Sequence, residues 1–331
     1  TSSLTPPTKH APPRSGGGKF LTEFNGKLVY AGNSTYQNDV YFSEQNLPDA
    51  FDDGSSTQLI LYATGDGPIT GIATGFFSDS NLDPYLVVFK KNRIMIYSEV
   101  GDNDRFVAIS DTIGCVSDKT IEVRNGNVFF QSIRGWHGIV NGTLIEDNDG
   151  NVATLGGGDI DDIYVSNTGY EFELNRSQSS IFHSAFYPTL DQYITWVSSS
   201  GSTELTTAYV FEFASSKGFK RFTFPFSVLC SMKAEDSSGD DIIIFGGSVG
   251  YLYKYSIKEG KSEIDENNVL SAIDSEAIIA WVDGENNDMS TTYNFRDLII
   301  RGVSITDDIT VKGYVNFDAS DYNHLTYNFP I

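Results

Sequence analysis

The stretch TIEVRNGNVFFQS, residues 120–132, decides the fold. Two short runs of strand-forming residues flank Asn125-Gly126, and Asn-Gly is the strongest short-range hairpin signal because both central residues of a type I′ turn need positive φ. The same grammar recurs along the chain. FLTEFNGKLVYAG (20–32) turns at Asn25-Gly26, YLVVFKKNRIMIYSE (85–99) turns near Lys91-Asn92, and in DIIIFGGSVGYLYKYS (241–256) Gly246-Gly247 and Gly250 bracket the turn. The hairpins fall near Leu28, Val87, Val128, Ile194 and Ile243, about 40 to 65 residues apart, which is the spacing of propeller blades with variable loops.

Composition agrees. Phe (23) and Tyr (18) outnumber Met (3), and Gly, Asn, Asp and Ser recur as turn residues. No window keeps helical i, i+3, i+4, i+7 spacing over three turns, so the dominant period is two. A hairpin cannot bury both of its faces alone, and radial stacking about an axis solves that while leaving only short edges. The reading is therefore all-β, a β-propeller of about five to seven antiparallel blades. A long β-sandwich would show similar strand spacing, but it does not require hairpins to recur as units.

Three segments follow. Residues 1–18, with four of the ten prolines and no apolar pattern, read as an extended Pro/Gly-rich arm. Residues 19–256 form the propeller. Residues 257–331 begin with a charged loop, KEGKSEIDENN (258–268), and continue as three strands in AIIAWVDGE, FRDLIIRGVSI and ITVKGYVNFD, which close the ring or start a second β domain.

The balance of 44 acidic against 22 basic residues, a net charge of -22, opposes any phosphate backbone and excludes tight nucleic-acid binding. No apolar run reaches the length of about 18 residues that a membrane span requires. Cys115 and Cys230, each in or beside an apolar run, read as buried free thiols rather than a disulfide framework.

Specific phrases resemble a known group. FNGKLVYAGNSTYQNDVYFSEQNLPDAF (24–51), with its Tyr-Phe-Ser strand and Asn-x-Pro-x-x-Phe loop, is similar to the opening blade of phage tail propellers. YLVVFKKNRIMIYSE and ISDTIGCVSDKTIEVRNGNVFFQSIRGWHGI (109–139) resemble the blades that follow, with Ile113-Gly114-Cys115 and the Asn125-Gly126 turn in order. GDDIIIFGGSVGYLYKYS (239–256), AWVDGE and FRDLIIRGVSI look like the last blade and the next strand pair. The group is the nozzle, or tail tubular protein B, family of short-tailed phages, and the resemblance covers roughly residues 20–315. It implies a virion structural protein of the phage tail with no catalytic residue and no cofactor. Six copies would form a ring, a homo-hexamer contacting tail adaptor and fibre proteins, through which DNA passes without sequence-specific binding. Carboxylates lining such a channel would repel the phosphates.

Chemistry finds little purchase. Asp159, Asp161, Asp162, Asp191 and Glu212 offer carboxylate pairs for a glycosidase, but with 44 acids some pair is always available. The alternative function is accordingly a carbohydrate-binding or carbohydrate-cleaving propeller, with Trp136, near a turn in RGWHG, expected to be exposed for stacking on sugar; Trp196 and Trp281 read as core. Aligning Gly150 with the glycine of a calcium loop puts Ile145 and Gly156 at ligand positions, so Asp147, Asp149, Asp159, Asp161 and Asp162 read as solvated acidic loop and not as a metal site. His10, His137, His183 and His324 read as loop or surface residues. Ser43 and Ser132 lie in no Gly-x-Ser-x-Gly elbow, no nucleophile is flanked by a base, and Lys19 lacks the Ser or Thr of a phosphate loop. Interface contacts are expected in Asn33–Asn38, Asp147–Asp162 and Glu285–Ser290, with Asn33, Tyr36, Trp136, Asp147, Asp149, Asp159, Asp161 and Asp162 as the residues singled out.

Overall fold

A computed structural model describes residues 17–51, 57–60, 67–78, 82–99, 106–145, 155, 174–213, 219–255, 262–264, 270–272, 309–313 and 325–329. The chain divides into two compact units, Thr1–Gly260 and Lys261–Ile331.

The first unit is a succession of antiparallel meanders, each sheet using strands in sequence order. The first sheet holds β1 (Phe20–Phe24), β2 (Lys27–Ala31), β3 (Asp39–Phe42) and β4 (Thr57–Ile60). The second holds β5 (Ile69–Phe76), β6 (Pro84–Lys90), β7 (Ile94–Tyr97) and β8 (Val107–Ser110). The third holds β9 (Glu122–Arg124), β10 (Asn127–Gln131), β11 (Trp136–Val140) and β12 (Thr143–Leu144). The fourth holds β13 (His183–Tyr187), β14 (Gln192–Val197), β15 (Thr207–Glu212) and β16 (Phe219–Thr223). The fifth holds β17 (Val228–Glu235), β18 (Asp241–Gly247) and β19 (Leu252–Tyr255). The opening strands adjoin from sheet to sheet: β1 meets β5, β5 meets β9, β9 meets β13 and β13 meets β17. Consecutive meanders joined along their first strands are the blades of a β-propeller, so the all-β reading holds, with five blades among the described residues.

Turn chemistry sets the register. Asn25 (φ 49°) and Gly26 (φ 73°) join β1 to β2, and Asn125 (φ 49°) and Gly126 (φ 79°) join β9 to β10, as the positive φ of both central residues in a type I′ turn requires. Asn141 (φ 52°) and Gly142 (φ 76°) do the same between β11 and β12.

Packing explains the unbroken apolar runs. In β6, Leu86 and Val88 face the first sheet, in a core with Phe24, Val29 and Phe42. Tyr85, Val87 and Phe89 point the other way, into a core with Val128, Phe130 and Ile139 of the third sheet. The opposite face of β10 gives Phe129 to a core shared with the fourth and fifth sheets. Each interior blade is thus buried on both sides, at roughly 1.5–3 kcal/mol per large apolar side chain removed from water. Gly114 is dictated by close approach, because a Cβ there would lie 1.9 Å from the Lys90 carbonyl oxygen. That same carbonyl accepts the Cys115 N–H at 3.0 Å.

In the second unit β20 (Ser262–Ile264) pairs with β21 (Leu270–Ala272), and β22 (Ile309–Gly313) pairs with β23 (Leu325–Phe329), both antiparallel. The expected charged loop at 258–268 therefore contains a strand. ITVKG of the last expected strand is one. AIIAWVDGE and FRDLIIRGVSI lie outside the described residues, as do residues 1–16 of the arm.

Candidate functional site

Several polar side chains of the first unit bond across the seams between blades. Trp136, the first residue of β11, donates its indole N–H to Thr195 Oγ1 of β14 at 3.0 Å. Thr195 Oγ1 also lies 2.9 Å from Ser184 Oγ. Tyr193 donates to the Thr120 carbonyl at 2.6 Å, and Ser117 donates to the Phe182 carbonyl at 2.9 Å. Arg124 pairs through two nitrogens with Asp191 and lies 4.3 Å over the Phe213 ring. Four side-chain contacts thereby bolt the third blade to the fourth. Trp136 is fully buried, which corrects the expectation of an exposed stacking platform. Gln131 faces Trp136 and Phe129 faces Gly138 in the β10–β11 register, so Trp136 shares the face that the fourth blade covers.

The next seam turns on His183. Its Nε2–H donates to the Val228 carbonyl at 3.0 Å and its Nδ1 accepts from Ser231 Oγ at 2.9 Å, linking β13 to β17. The ring stacks on Trp196 at 5.1 Å between centroids. Burial holds its pKa down at about 4, so the imidazole is neutral in ordinary buffers. His137 is buried too. Two of the four histidines are therefore core fasteners rather than loop or surface residues; His10 and His324 lie outside the described residues.

His137 corrects a second expectation, since its Nε2 stands 2.8 Å from Ser132 Oγ and a hydroxyl does meet a base. The hydroxyl also accepts the Arg134 N–H at 2.8 Å, and the Ser132 N–H reaches the Gly135 carbonyl at 2.7 Å. With both side chains buried, the pair closes the β10–β11 turn. The Asp191 and Glu212 carboxylates, considered for acid–base work, are likewise engaged: Asp191 by Arg124, Glu212 by Gln192 Nε2 at 2.8 Å and Lys220 Nζ at 2.6 Å. Among the described residues no group of three His, Cys, Asp or Glu side chains is placed to hold a metal ion, and no helix is long and apolar enough to cross a membrane.

No protein-family model matches the chain. None of the curated proteins matches it either. Among solved structures the chain is similar to BBS1N as crystallised in complex with ARL6DN, in a mercury-soaked crystal, with 14% identity over 76% of this chain and 64% of that one and a TM-score of 0.42. The lead-soaked crystal of the same complex gives 14% identity, 71% and 62% coverage and a TM-score of 0.41. The chain thus spans less than two thirds of that neighbour's length.

The expected interface residues divide. Asn33 is buried and works locally: its side-chain oxygen accepts the N–H groups of Thr35 and Tyr36 at 2.9 and 3.0 Å, and its amide donates to the Gly17 carbonyl at 2.8 Å. Tyr36, held at the rim of that turn, is 37% exposed. Asp147, Asp149, Asp159, Asp161 and Asp162 lie outside the described residues, as does the loop 285–290. Cys115 is a buried free thiol, pushed up to about 12 by burial, whereas Cys230 on β17 is exposed and corrects the expectation for that residue.

Proposed function

We propose that this chain is a structural subunit of a phage tail, a nozzle or tail-tip protein whose copies form a ring around the path of the ejected genome and contact adaptor and fibre proteins. The observation that carries the reading is the use made of polar groups at the blade seams. Trp136, Tyr193, Arg124 and His183 all join one blade to the next, which suits a body built to resist shear. The acidic balance of 44 against 22 fits a wall past which a phosphate backbone slides without sticking. The ring and its six copies are what the resemblance of its sequence phrases to the tail tubular protein B group implies. The carbohydrate reading loses its platform, because Trp136 is buried beneath the fourth blade.

Immunogold labelling of intact short-tailed virions tests the proposal. Antibodies raised against this chain are expected to decorate the distal tail; label confined to the capsid, or absent from particles altogether, would overturn it.

A further inference from the structure

Four exposed cations stand at one end of the second, third and fourth blades. Turns of an antiparallel meander alternate between its two ends, and the β6–β7 turn with Lys91 and the β10–β11 turn with Arg134 fall at the same one. The segment leading from β8 to β9 crosses that end and ties the turns together. Its Cys115 N–H donates to the Lys90 carbonyl and its Val116 N–H to the Gln131 carbonyl, both at 3.0 Å, and Ser117 Oγ donates to the Phe182 carbonyl at 2.9 Å. Lys119 follows in the 3-10 helix Asp118–Thr120, and Arg176 opens the 3-10 helix Arg176–Ile181. Val116, Ile133 and Arg176 line one small depression, which puts Arg176 beside the Arg134 turn. Lys91, Lys119, Arg134 and Arg176 are all exposed, and none of them makes an ion pair among the described residues.

The neighbouring acids are already engaged, Asp111 by Arg93 at 2.6 Å and Asp118 by Lys19 at 3.3 Å. Glu204, in the loop between β14 and β15, is the remaining exposed acid among the described residues at this end of the three blades. The opposite end differs: there Lys27 is held by Glu99 at 2.7 Å, and Arg124 by Asp191. In a chain of 44 acidic against 22 basic residues, the cluster is a local inversion of the overall sign. We propose that this end of the second to fourth blades docks a short acidic segment of a partner protein, whose carboxylates seat on Lys91, Lys119, Arg134 and Arg176. Reach decides for a peptide over nucleic acid. Screening limits an exposed charge to about 8 Å at physiological ionic strength, so a short segment senses the four cations, whereas a duplex running past them meets the acidic remainder of the chain. A single exposed ion pair contributes little, and the contact depends on several acting together. The cluster also steers an acidic partner to this end rather than the other. The surface belongs to one chain and is independent of assembly into a ring.

Fluorescence anisotropy of a labelled decaglutamate peptide, titrated with the full chain, tests this. Saturable binding is expected at about 50 mM salt and should weaken about tenfold at about 300 mM. The double variant Lys119→Gln/Arg134→Gln should bind about tenfold more weakly than wild type. Lys220→Gln, which removes an exposed cation on β16, should bind as wild type does. All three substitutions lie on the surface and spare the core, and the salt dependence of the wild type needs no variant. Absence of binding at low salt, equal binding by the double variant, or an equal loss in Lys220→Gln would overturn the proposal. So would tighter binding of a short labelled DNA duplex that the double variant loses, which would make the surface a nucleic-acid site instead.

Discussion

Trp136 Nε1 and Thr195 Oγ1 stand 3.0 Å apart, and both side chains are buried. The bond joins residues from different blades, 59 positions apart in sequence. Thr195→Val keeps the shape but removes the hydroxyl that accepts the indole N–H, a cost of about 1–3 kcal/mol. Urea unfolding should show a lower midpoint with an unchanged slope; a midpoint equal to wild type would show that the bond contributes nothing.

Gly114→Ala drives a methyl group into the Lys90 carbonyl, an approach that only backbone movement relieves. Overpacking of this kind costs about 1–3 kcal/mol. The thermal midpoint should fall, and a variant as stable as wild type would mean that the 113–115 segment yields easily.

His183 predicts an acid-side loss of stability. Its folded pKa of about 4 lies below the ordinary 6.5, so the unfolded chain takes up the proton first. Stability from this group is complete above pH 6.5 and declines as pH falls from 6.5 to 4, by up to about 3 kcal/mol across that window. His183→Gln should flatten this part of the pH–stability curve even though it lowers stability at neutrality; an equal slope in the variant would assign the loss elsewhere.

The two thiols should differ sharply. Cys230 is exposed and Cys115 buried, so a disulfide-exchange reagent is expected to titrate one thiol per native chain within minutes and the second only in denaturant. Rapid reaction of both would contradict the packing around Cys115.

The blades were readable wherever a turn demanded positive φ. Asn25-Gly26 and Asn125-Gly126 placed two hairpins correctly, because few residues tolerate that conformation. Asn141-Gly142 carries the same signal and marks the β11–β12 turn, although Asn141-Gly-Thr also matches a glycosylation sequon. Side-chain direction was harder. YLVVF of β6 shows no polar alternation because one face packs on the first blade and the other on the third, so period two survives in the structure but not in the hydrophobicity. Trp136 follows Gly135 at a turn, and only the strand register shows that it points into a seam. The pairings of His183 with Ser231 and of Ser132 with His137 left no trace in sequence spacing, since the first joins two blades and the second depends on a tight turn.

Negative-stain electron microscopy of the purified chain tests the central claim, that this stack of blades is a wall element of a ring. The account predicts closed particles with sixfold symmetry and a central opening. Monomers at every concentration tried, or open irregular clusters, would contradict it.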